Sequence, residues 1–108
     1  GNSYPIGQCT WGVKEMAPWA SNWWGNANTW AFNASAQGYA TGNVPVAGAI
    51  AVWDGGEYGH VAYVTDVQSD GSVQVLEANY NRQKQIDNYR GYFNPNEFMG
   101  GVTYIYPN

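Results

Sequence analysis

A chain of 108 residues is long enough for one domain with a buried core, and its content of 44% hydrophobic and 11% charged residues argues against disorder. Eight acidic and four basic residues give a net charge of -4, which leaves no positive patch for phosphate groups and argues against nucleic-acid binding. A single cysteine excludes an internal disulfide and gives no support to a zinc site with cysteine ligands. No apolar run is long enough to span a membrane.

The one cysteine lies in the segment Gln8-Cys9-Thr10-Trp11-Gly12, at the start of a helical pattern. Apolar residues recur at helical spacing up to Pro18, so we predict a helix from Cys9 to Ala17. A cysteine in the first turn of a helix lies near unpaired backbone N–H groups and the positive end of the helix dipole. Both favour the thiolate, which is the nucleophilic form. Taken alone, however, a free cysteine is more often a small buried hydrophobic residue.

The next segment, residues 18–28, contains three tryptophans without any periodicity, which predicts a loop. Loops run over the surface, so tryptophans in a loop need an explanation. Trp23 and Trp24 therefore either pack back against the core or line a cleft, and the sequence favours neither.

The remaining elements predict an α+β domain with its helices packed on one face of an antiparallel sheet. Asn28 is the expected N-cap of a second helix that continues to Ala36 or Gln37 and is ended by Gly38. Beyond a loop rich in glycine, asparagine and proline, the chain becomes rich in β-branched and aromatic residues. The predicted strands are Ala49–Trp53, His60–Gln68, Ser72–Asn79 and Gly101–Tyr106, with Tyr89–Phe93 as a further candidate.

The second and third of these strands form a predicted hairpin that carries the only histidine. Side chains alternate along a strand, which places His60, Glu77 and Asn79 on one face. A two-residue loop would leave Glu77 about 13 Å from the histidine along the strand. A four-residue loop from Gln68 to Gly71, or a β-bulge with the same effect, would pair His60 with Asn79. Glu77 would then be a diagonal neighbour at ~7–8 Å between backbones. We expect this second register.

One cysteine, one histidine, a glutamate on the histidine's face and a nearby asparagine are the groups of a thiol acyl-transfer enzyme. Such an enzyme needs a nucleophile, a base that accepts its proton, and a group that orients the imidazole. The alternative for each residue is structural, because a lone strand histidine is usually a satisfied core residue. Glu77 in turn fits a charge at a sheet edge.

Several short motifs resemble the CHAP family, the cysteine, histidine-dependent amidohydrolases/peptidases. They occur in the family's order between Tyr4 and Tyr106, and both ends of the chain are most similar to streptococcal cell-separation peptidoglycan hydrolases. The matching motifs are Gln8-Cys9-Thr10-Trp11, Gly25-Asn26-Ala27 followed by Trp30, Val46-Ala47-Gly48-Ala49-Ile50-Ala51-Val52-Trp53, Gly59-His60-Val61-Ala62-Tyr63-Val64 and Glu77-Ala78-Asn79-Tyr80.

The resemblance implies a papain-like fold and a catalytic site. In that site Cys9 is the nucleophile, His60 the general base, Glu77 the group that orients the imidazole and Asn79 a supporting fourth member. It also implies cleavage of an amide bond in the peptide part of bacterial peptidoglycan, by an N-acetylmuramoyl-L-alanine amidase or an endopeptidase. Residues 1–30 contain no aspartate, so they lack the oxygen ligands of the calcium site found in some relatives. We therefore predict no metal and no cofactor.

The backbone N–H of Cys9 and, less directly, the side chain of Gln8 are the candidate donors to an oxyanion. For Gln8, a solvent-facing position at the start of the helix is the alternative. Trp24, Trp53 and Tyr58 are the candidate walls of a substrate cleft. Tyr58 is the best placed of these, because Trp53 ends an apolar strand and fits core packing better.

The chain begins without methionine, so we interpret residues 1–108 as a single catalytic domain excised from a longer secreted protein. We expect the peptidoglycan substrate to be reached in the cell wall, with targeting supplied by other domains of the parent. Two rival functions remain. One is a non-catalytic wall-binding module that uses surface tryptophans, and the other is a thiol peptidase directed at proteins.

Overall fold

Two short α-helices and a five-stranded antiparallel sheet make up the computed structural model, which describes all residues from 1 to 108. The predicted α+β class is confirmed. The sheet has the strand order β1-β5-β2-β3-β4. The elements are α1 (Cys9–Met16), a 3-10 turn (Ala27–Thr29), α2 (Trp30–Ala36), β1 (Thr41–Gly42), β2 (Ile50–Trp53), β3 (His60–Val67), β4 (Val73–Leu76), a second 3-10 turn (Pro95–Glu97) and β5 (Val102–Ile105).

Helix α1 begins at Cys9 as predicted and ends one residue earlier than expected. Ala17 is its C-cap, and the Ala17 N–H donates to the Val13 carbonyl at 2.7 Å. The helix lies very close to the chain that follows β4, because a Cβ atom added to Gly12 would be 2.9 Å from the Cβ of Ala78. Glycine at position 12 therefore sets the distance between the cysteine-bearing helix and the sheet.

Both faces of the sheet are covered, which explains why all four residues of β2 are buried. The two helices and the tryptophan-rich loop cover one face, around Trp24, Trp30 and Val61, as the sequence predicts. The other face is covered by irregular chain after β4, including Phe93 and Phe98. A short apolar run such as Ala49–Trp53 is typical of a strand buried on both sides.

The start of α2 differs from the prediction. Asn28 does not cap this helix but lies in the 3-10 turn that precedes it. Its backbone N–H donates to the Tyr58 carbonyl at 2.8 Å, and its side chain donates to the Glu57 carbonyl at 3.2 Å. Asn28 thus ties the helix to the loop before β3. The predicted end is confirmed, since Gly38 follows the C-cap residue with a φ of +94°.

Four of the five candidate strands are present, each shorter than predicted at one or both ends. The prediction of a strand at Tyr89–Phe93 is wrong, because only Phe93 forms a β-bridge there, and this is an isolated bridge to Val73. The two-residue strand β1 was not predicted. The aromatic residues of the 89–93 segment raise its strand propensity, but Phe93 packs on the face of the sheet rather than extending it.

A β-bulge in β3 gives the hairpin the register that the site requires. Val67 pairs with Val73 across a loop of residues 68–72, one residue longer than expected. The register then shifts between Val64 and Asp66, so that Tyr63 lies opposite Leu76. Continued past the end of β4 at Leu76, this register would set His60 opposite Asn79, as expected. The prediction of a four-residue loop is therefore wrong, and the alternative, a β-bulge, is correct. Without the bulge the register would slip by one residue, which would turn His60 to the opposite face.

Candidate active site

His60 and Glu77 form a buried pair at the start of β3 and just past the end of β4. His60 Nε2 is 2.8 Å from Glu77 Oε1, and the two residues are 6% and 0% exposed. Gly59 allows the close approach of the chain here. With a φ of +74°, a Cβ at this position would lie 2.6 Å from the Trp53 carbonyl oxygen and 2.7 Å from the Asn28 nitrogen. The structure brings these two predicted residues together.

Cys9 lies in the same cleft as His60. The cleft has a volume of about 730 Å³, and its walls include Cys9, His60 and Asn79. Cys9 is half-buried at the first residue of α1. Because Nε2 of His60 is occupied by Glu77, Nδ1 is the ring nitrogen left for the cysteine. The only thiol and the only imidazole of the chain therefore share one opening to solvent.

The imidazole of His60 is held in its charged form. Burial, the largest single effect, lowers the pKa of His60, but hydrogen bonds and charge interactions with Cys9 and Glu77 outweigh it and raise the pKa to about 9. Burial also raises the pKa of Glu77, but hydrogen bonds from His60 and Arg90 reverse this and hold it below its ordinary value. An imidazolium facing a buried carboxylate is the expected charge state near neutral pH.

Arg90 is a member of the site that the sequence reasoning missed. Its Nε donates to Glu77 Oε2 at 2.9 Å and its Nη2 donates to Glu77 Oε1 at 2.7 Å. The guanidinium lies over Phe93 and Phe98, with 3.9 and 4.1 Å from its central carbon to the ring centroids. The sequence did contain a signal for this role. Arg90 is one of only four basic residues, and it lies among aromatic residues, over whose rings a guanidinium packs favourably.

Asn79 lies in the cleft wall, and its side-chain amide contacts Lys84. Its Oδ1 accepts a hydrogen bond from Lys84 Nζ at 2.8 Å, and no hydrogen bond joins it to His60. Its backbone has a φ of +60°, a conformation that asparagine tolerates better than most residues. The role of Asn79 as a fourth member of the site remains a prediction.

The candidate oxyanion donors both lie along the cleft. Gln8 is the N-cap residue of α1, but its side chain makes no capping hydrogen bond. The backbone N–H of Cys9 belongs to the first turn, whose donors have no acceptor within the helix. Both residues line the cleft, and their role as oxyanion donors remains a prediction.

Of the three predicted cleft walls, only Tyr58 lines the cleft, and it is 59% exposed. The prediction that Trp24 lines the cleft is wrong, because this residue is fully buried in the core and donates from Nε1 to Gln37 Oε1 at 2.9 Å. The prediction that Trp53 lines the cleft is wrong as well, because this residue is buried and donates to the Pro95 carbonyl at 2.8 Å. Its ring instead packs beside His60, with 5.9 Å between centroids. Trp23 is 82% exposed and lies outside the cleft.

No three histidine, cysteine, aspartate or glutamate side chains come together as metal ligands do. Neither helix has the length and hydropathy needed to cross a membrane. The absence of a metal in the working protein remains a prediction.

The structure is thus an α+β domain in which a cysteine at the start of a helix and a carboxylate-bound histidine line the same cleft. The family model of the CHAP domain matches residues 1–79, and the chain belongs to this family. It is 62% identical over 109 residues to a "Putative hydrolase" of Streptococcus mutans, with 99% of this chain and 52% of that protein covered. It is 48% identical over 81 residues to the staphylococcal secretory antigen SsaA of Staphylococcus epidermidis, with 74% of this chain and 32% of that protein covered.

A solved structure supports the same assignment. The crystal structure of an N-acetylmuramoyl-L-alanine amidase from Staphylococcus aureus matches 97% of this chain with a TM-score of 0.79 and 31% identity. The match covers 31% of the amidase chain. This chain therefore spans about half, or less, of the length of the relatives it matches.

Proposed function

We propose that this protein is a peptidoglycan hydrolase that cleaves an amide bond in the peptide part of the bacterial cell wall by a thiol mechanism. The observation that supports it most is the meeting of Cys9 and His60 in one cleft, with Glu77 buried behind the imidazole. The name of the solved amidase relative supports the substrate. A purely structural histidine would not need to face the only thiol of the chain across an opening to solvent.

In the proposed mechanism, the Cys9 thiolate attacks the carbonyl carbon of the amide. The oxyanion that forms accepts hydrogen bonds from the Cys9 backbone N–H and the Gln8 side chain. As the C–N bond breaks, Nδ1 of the His60 imidazolium gives its proton to the leaving amine. Water then attacks the thioester while the neutral His60 accepts a proton from it, and breaking of the C–S bond releases the acid and restores the Cys9 thiolate and the His60 imidazolium.

Glu77 and Arg90 act behind the imidazole. Glu77 accepts from Nε2, which fixes the ring orientation and leaves Nδ1 for the cysteine. We assign Arg90 the role of a positioning residue, since its two hydrogen bonds hold both carboxylate oxygens in place. Asn79 contributes to the cleft wall.

Two bonds in peptidoglycan fit this chemistry. The name of the solved relative favours the amide between muramic acid and L-alanine, and an endopeptidase acting within the stem or bridge peptide would use the same groups. Mass spectrometry of fragments released from purified peptidoglycan distinguishes the two by the new amine that appears. We also propose a secreted, wall-associated location with targeting by other domains of a longer protein, supported by the secretory relative.

The test is a comparison of the wild type with Cys9→Ala and Cys9→Ser. We expect both variants to lose muropeptide release while still sedimenting with purified walls. The matched substitution Ser35→Ala, on the exposed face of α2, should leave release unchanged. Release should also survive EDTA. A Cys9→Ala protein that still lyses walls would overturn the thiol mechanism, and digestion of casein without muropeptide release would favour a protein-directed peptidase.

A further inference from the structure

A tight turn at the edge of the cleft holds an unusual backbone conformation. In this turn, residues 79–84, Tyr80 and Gln83 exchange backbone hydrogen bonds of 3.2 and 2.9 Å. Asn79, Asn81 and Arg82 have φ values of +60°, +48° and +67°, and no other non-glycine residue of the chain has a positive φ. Positive φ at both central residues is the pattern of a two-residue hairpin turn, in which asparagine is favoured and arginine is not.

The turn is anchored to the proposed catalytic cluster on one side and to the chain before α1 on the other. The Tyr80 ring lies 4.5 Å from the Arg90 guanidinium carbon and stacks on Tyr89 at 6.0 Å. At the other end, a Cβ added to Gly7 would be 3.2 Å from the Cβ of Lys84. Lys84 is therefore set beside the lead-in to the helix that carries Cys9.

The Lys84 ammonium is close to the cleft and has no acidic partner. It donates to Oδ1 of the cleft residue Asn79 at 2.8 Å, and the only ion pairs of the molecule join Glu77 to His60 and to Arg90. The cleft wall itself contains no lysine, arginine, aspartate or glutamate. Through Asn79, Lys84 therefore brings a positive charge to the edge of a cleft whose lining has no ionisable side chains of other kinds than His60, Cys9 and the tyrosines.

The distribution of charge over the molecule makes this position distinctive. Of the four basic residues, Arg90 is bound to Glu77, and Lys14 donates to the carbonyls of Pro18 and Ala20 at 2.9 and 2.6 Å. The other two, Arg82 and Lys84, both lie in the turn. In a protein with a net charge of -4, two of the four basic residues thus lie in the turn that begins at the cleft residue Asn79.

We propose, resting on the peptidoglycan substrate proposed above, that the turn 79–84 forms a subsite for a carboxylate of the substrate peptide. The Lys84 ammonium is the partner of that carboxylate, and Asn79 holds the ammonium at the edge of the cleft. The preferred substrate is then a stem peptide with a free carboxylate next to the scissile amide. The same peptide with a carboxamide at that position lacks the charge and binds less well.

The experiment uses two soluble muramyl peptides that differ only in this carboxylate or carboxamide. We expect the wild type to have a higher kcat/KM for the carboxylate form by about two- to fivefold, the range of a solvent-exposed ion pair. The preference should lie in KM and decrease with added salt. Lys84→Gln should remove it, while Lys14→Gln, which makes the same change in net charge away from the cleft, should keep it.

Binding to the Cys9→Ala variant separates this inference from the proposed reaction. Cys9→Ala should bind the carboxylate peptide more tightly than the carboxamide peptide, and Cys9→Ala with Lys84→Gln should bind both alike. Equal affinity of Cys9→Ala for the two peptides would overturn the subsite, whatever the hydrolysis assays give. A Lys84→Gln protein with equally reduced kcat on both peptides would also overturn it, because Lys84 would then act only by holding Asn79.

Discussion

At the scale of single residues, Glu77 is the group that organises the site. It is 0% exposed and shares its two oxygens between the imidazole and the guanidinium. A buried carboxylate is stable only when its charge is paired and its lone pairs are satisfied. Arg90 meets part of this demand by donating to both oxygens, and Oε1 also lies 2.8 Å from His60 Nε2. The orientation of the imidazole is therefore a consequence of how a buried charge is neutralised.

The first prediction concerns Arg90. Arg90→Gln removes a cation and two hydrogen bonds to Glu77, so the pKa of Glu77 should rise and the acid limb of the pH–kcat/KM profile should move to higher pH. Hydrolysis at the pH optimum should fall by roughly tenfold or more, as expected for hydrogen bonds to a charged group. Arg90→Lys keeps the charge without the fork, so its acid limb should stay near that of the wild type. A uniform loss at every pH would instead mean that Arg90 only supports the fold.

The second prediction concerns stability against pH. The pKa of His60 is raised by Cys9 and Glu77, against burial, from 6.5 to about 9, so its stabilisation is complete below pH 6.5 and is lost as the pH rises to about 9. The loss should be about 3 kcal/mol at most. The lowered pKa of Glu77 acts in the opposite sense, and its stabilisation is lost as the pH falls below 4.5.

Urea denaturation across this range measures the free energy of unfolding, and NMR titration of the His60 ring measures its pKa. In Cys9→Ala one of the two neighbours that raise the pKa of His60 is absent, so the pKa should be lower and the alkaline loss of stability smaller. An unchanged His60 titration in this variant would show that the thiol and the imidazole do not interact.

At the scale of elements, the site depends on how closely α1 approaches the chain after β4. Cys9 comes from the helix and Glu77 from the strand end, and the two elements meet where Gly12 faces Ala78. The bulge in β3 supplies the other half of the alignment by placing His60 on the correct face. Small errors in either feature would separate Cys9 from His60, and the proposed reaction requires contact between them.

The third prediction tests this approach with Gly12→Ala. Alanine favours helix by about 1 kcal/mol, but its methyl group would lie 2.9 Å from the Cβ of Ala78, and such overpacking costs about 1–3 kcal/mol. We expect lower stability in urea and a fall in kcat, since α1 and Cys9 must move outward. As a control, Ser35→Ala raises helix propensity at an exposed position of α2 without introducing a close contact, so it should leave kcat unchanged. A more stable Gly12→Ala protein with full activity would contradict the close packing of α1 against Ala78.

At the scale of the whole molecule, the tryptophans belong mainly to the interior. Trp24, Trp30 and Trp53 are fully buried, and Trp23 is the one that is largely exposed, at 82%. A wall-binding module would present several aromatic rings to solvent together. The burial of these rings weakens that rival function, since composition was its main support.

The fourth prediction follows from this distribution. Trp23→Ala should leave hydrolysis of a soluble muramyl peptide within about twofold of the wild type, because the ring lies outside the cleft and a surface change of this kind has a small effect. Sedimentation with purified walls should change little. If Trp23→Ala loses both wall binding and lysis of whole walls, the exposed ring is the principal contact with the substrate, and the binding-module interpretation gains support.

Local patterns were sufficient for much of the fold and for the identity of the main groups. The helix at Cys9, the end of α2 at Gly38 and the hairpin that starts at His60 follow from periodicity and turn chemistry. These features depend on residues that are close along the chain. The face shared by His60 and Glu77 was predictable for the same reason, because alternation along two neighbouring strands is a local rule.

Tertiary structure decided the features that depend on distant contacts. Trp24 and Trp53 are core residues because other segments cover them, and no local pattern reveals which side of a ring will be covered. The bond from Arg90 to Glu77 joins two irregular segments, so spacing did not predict it. Sequence alone therefore determined which chemical groups the chain has and on which elements they lie. Only the folded structure decided which of them meet, because burial and charge pairing are set by neighbours in space rather than along the chain.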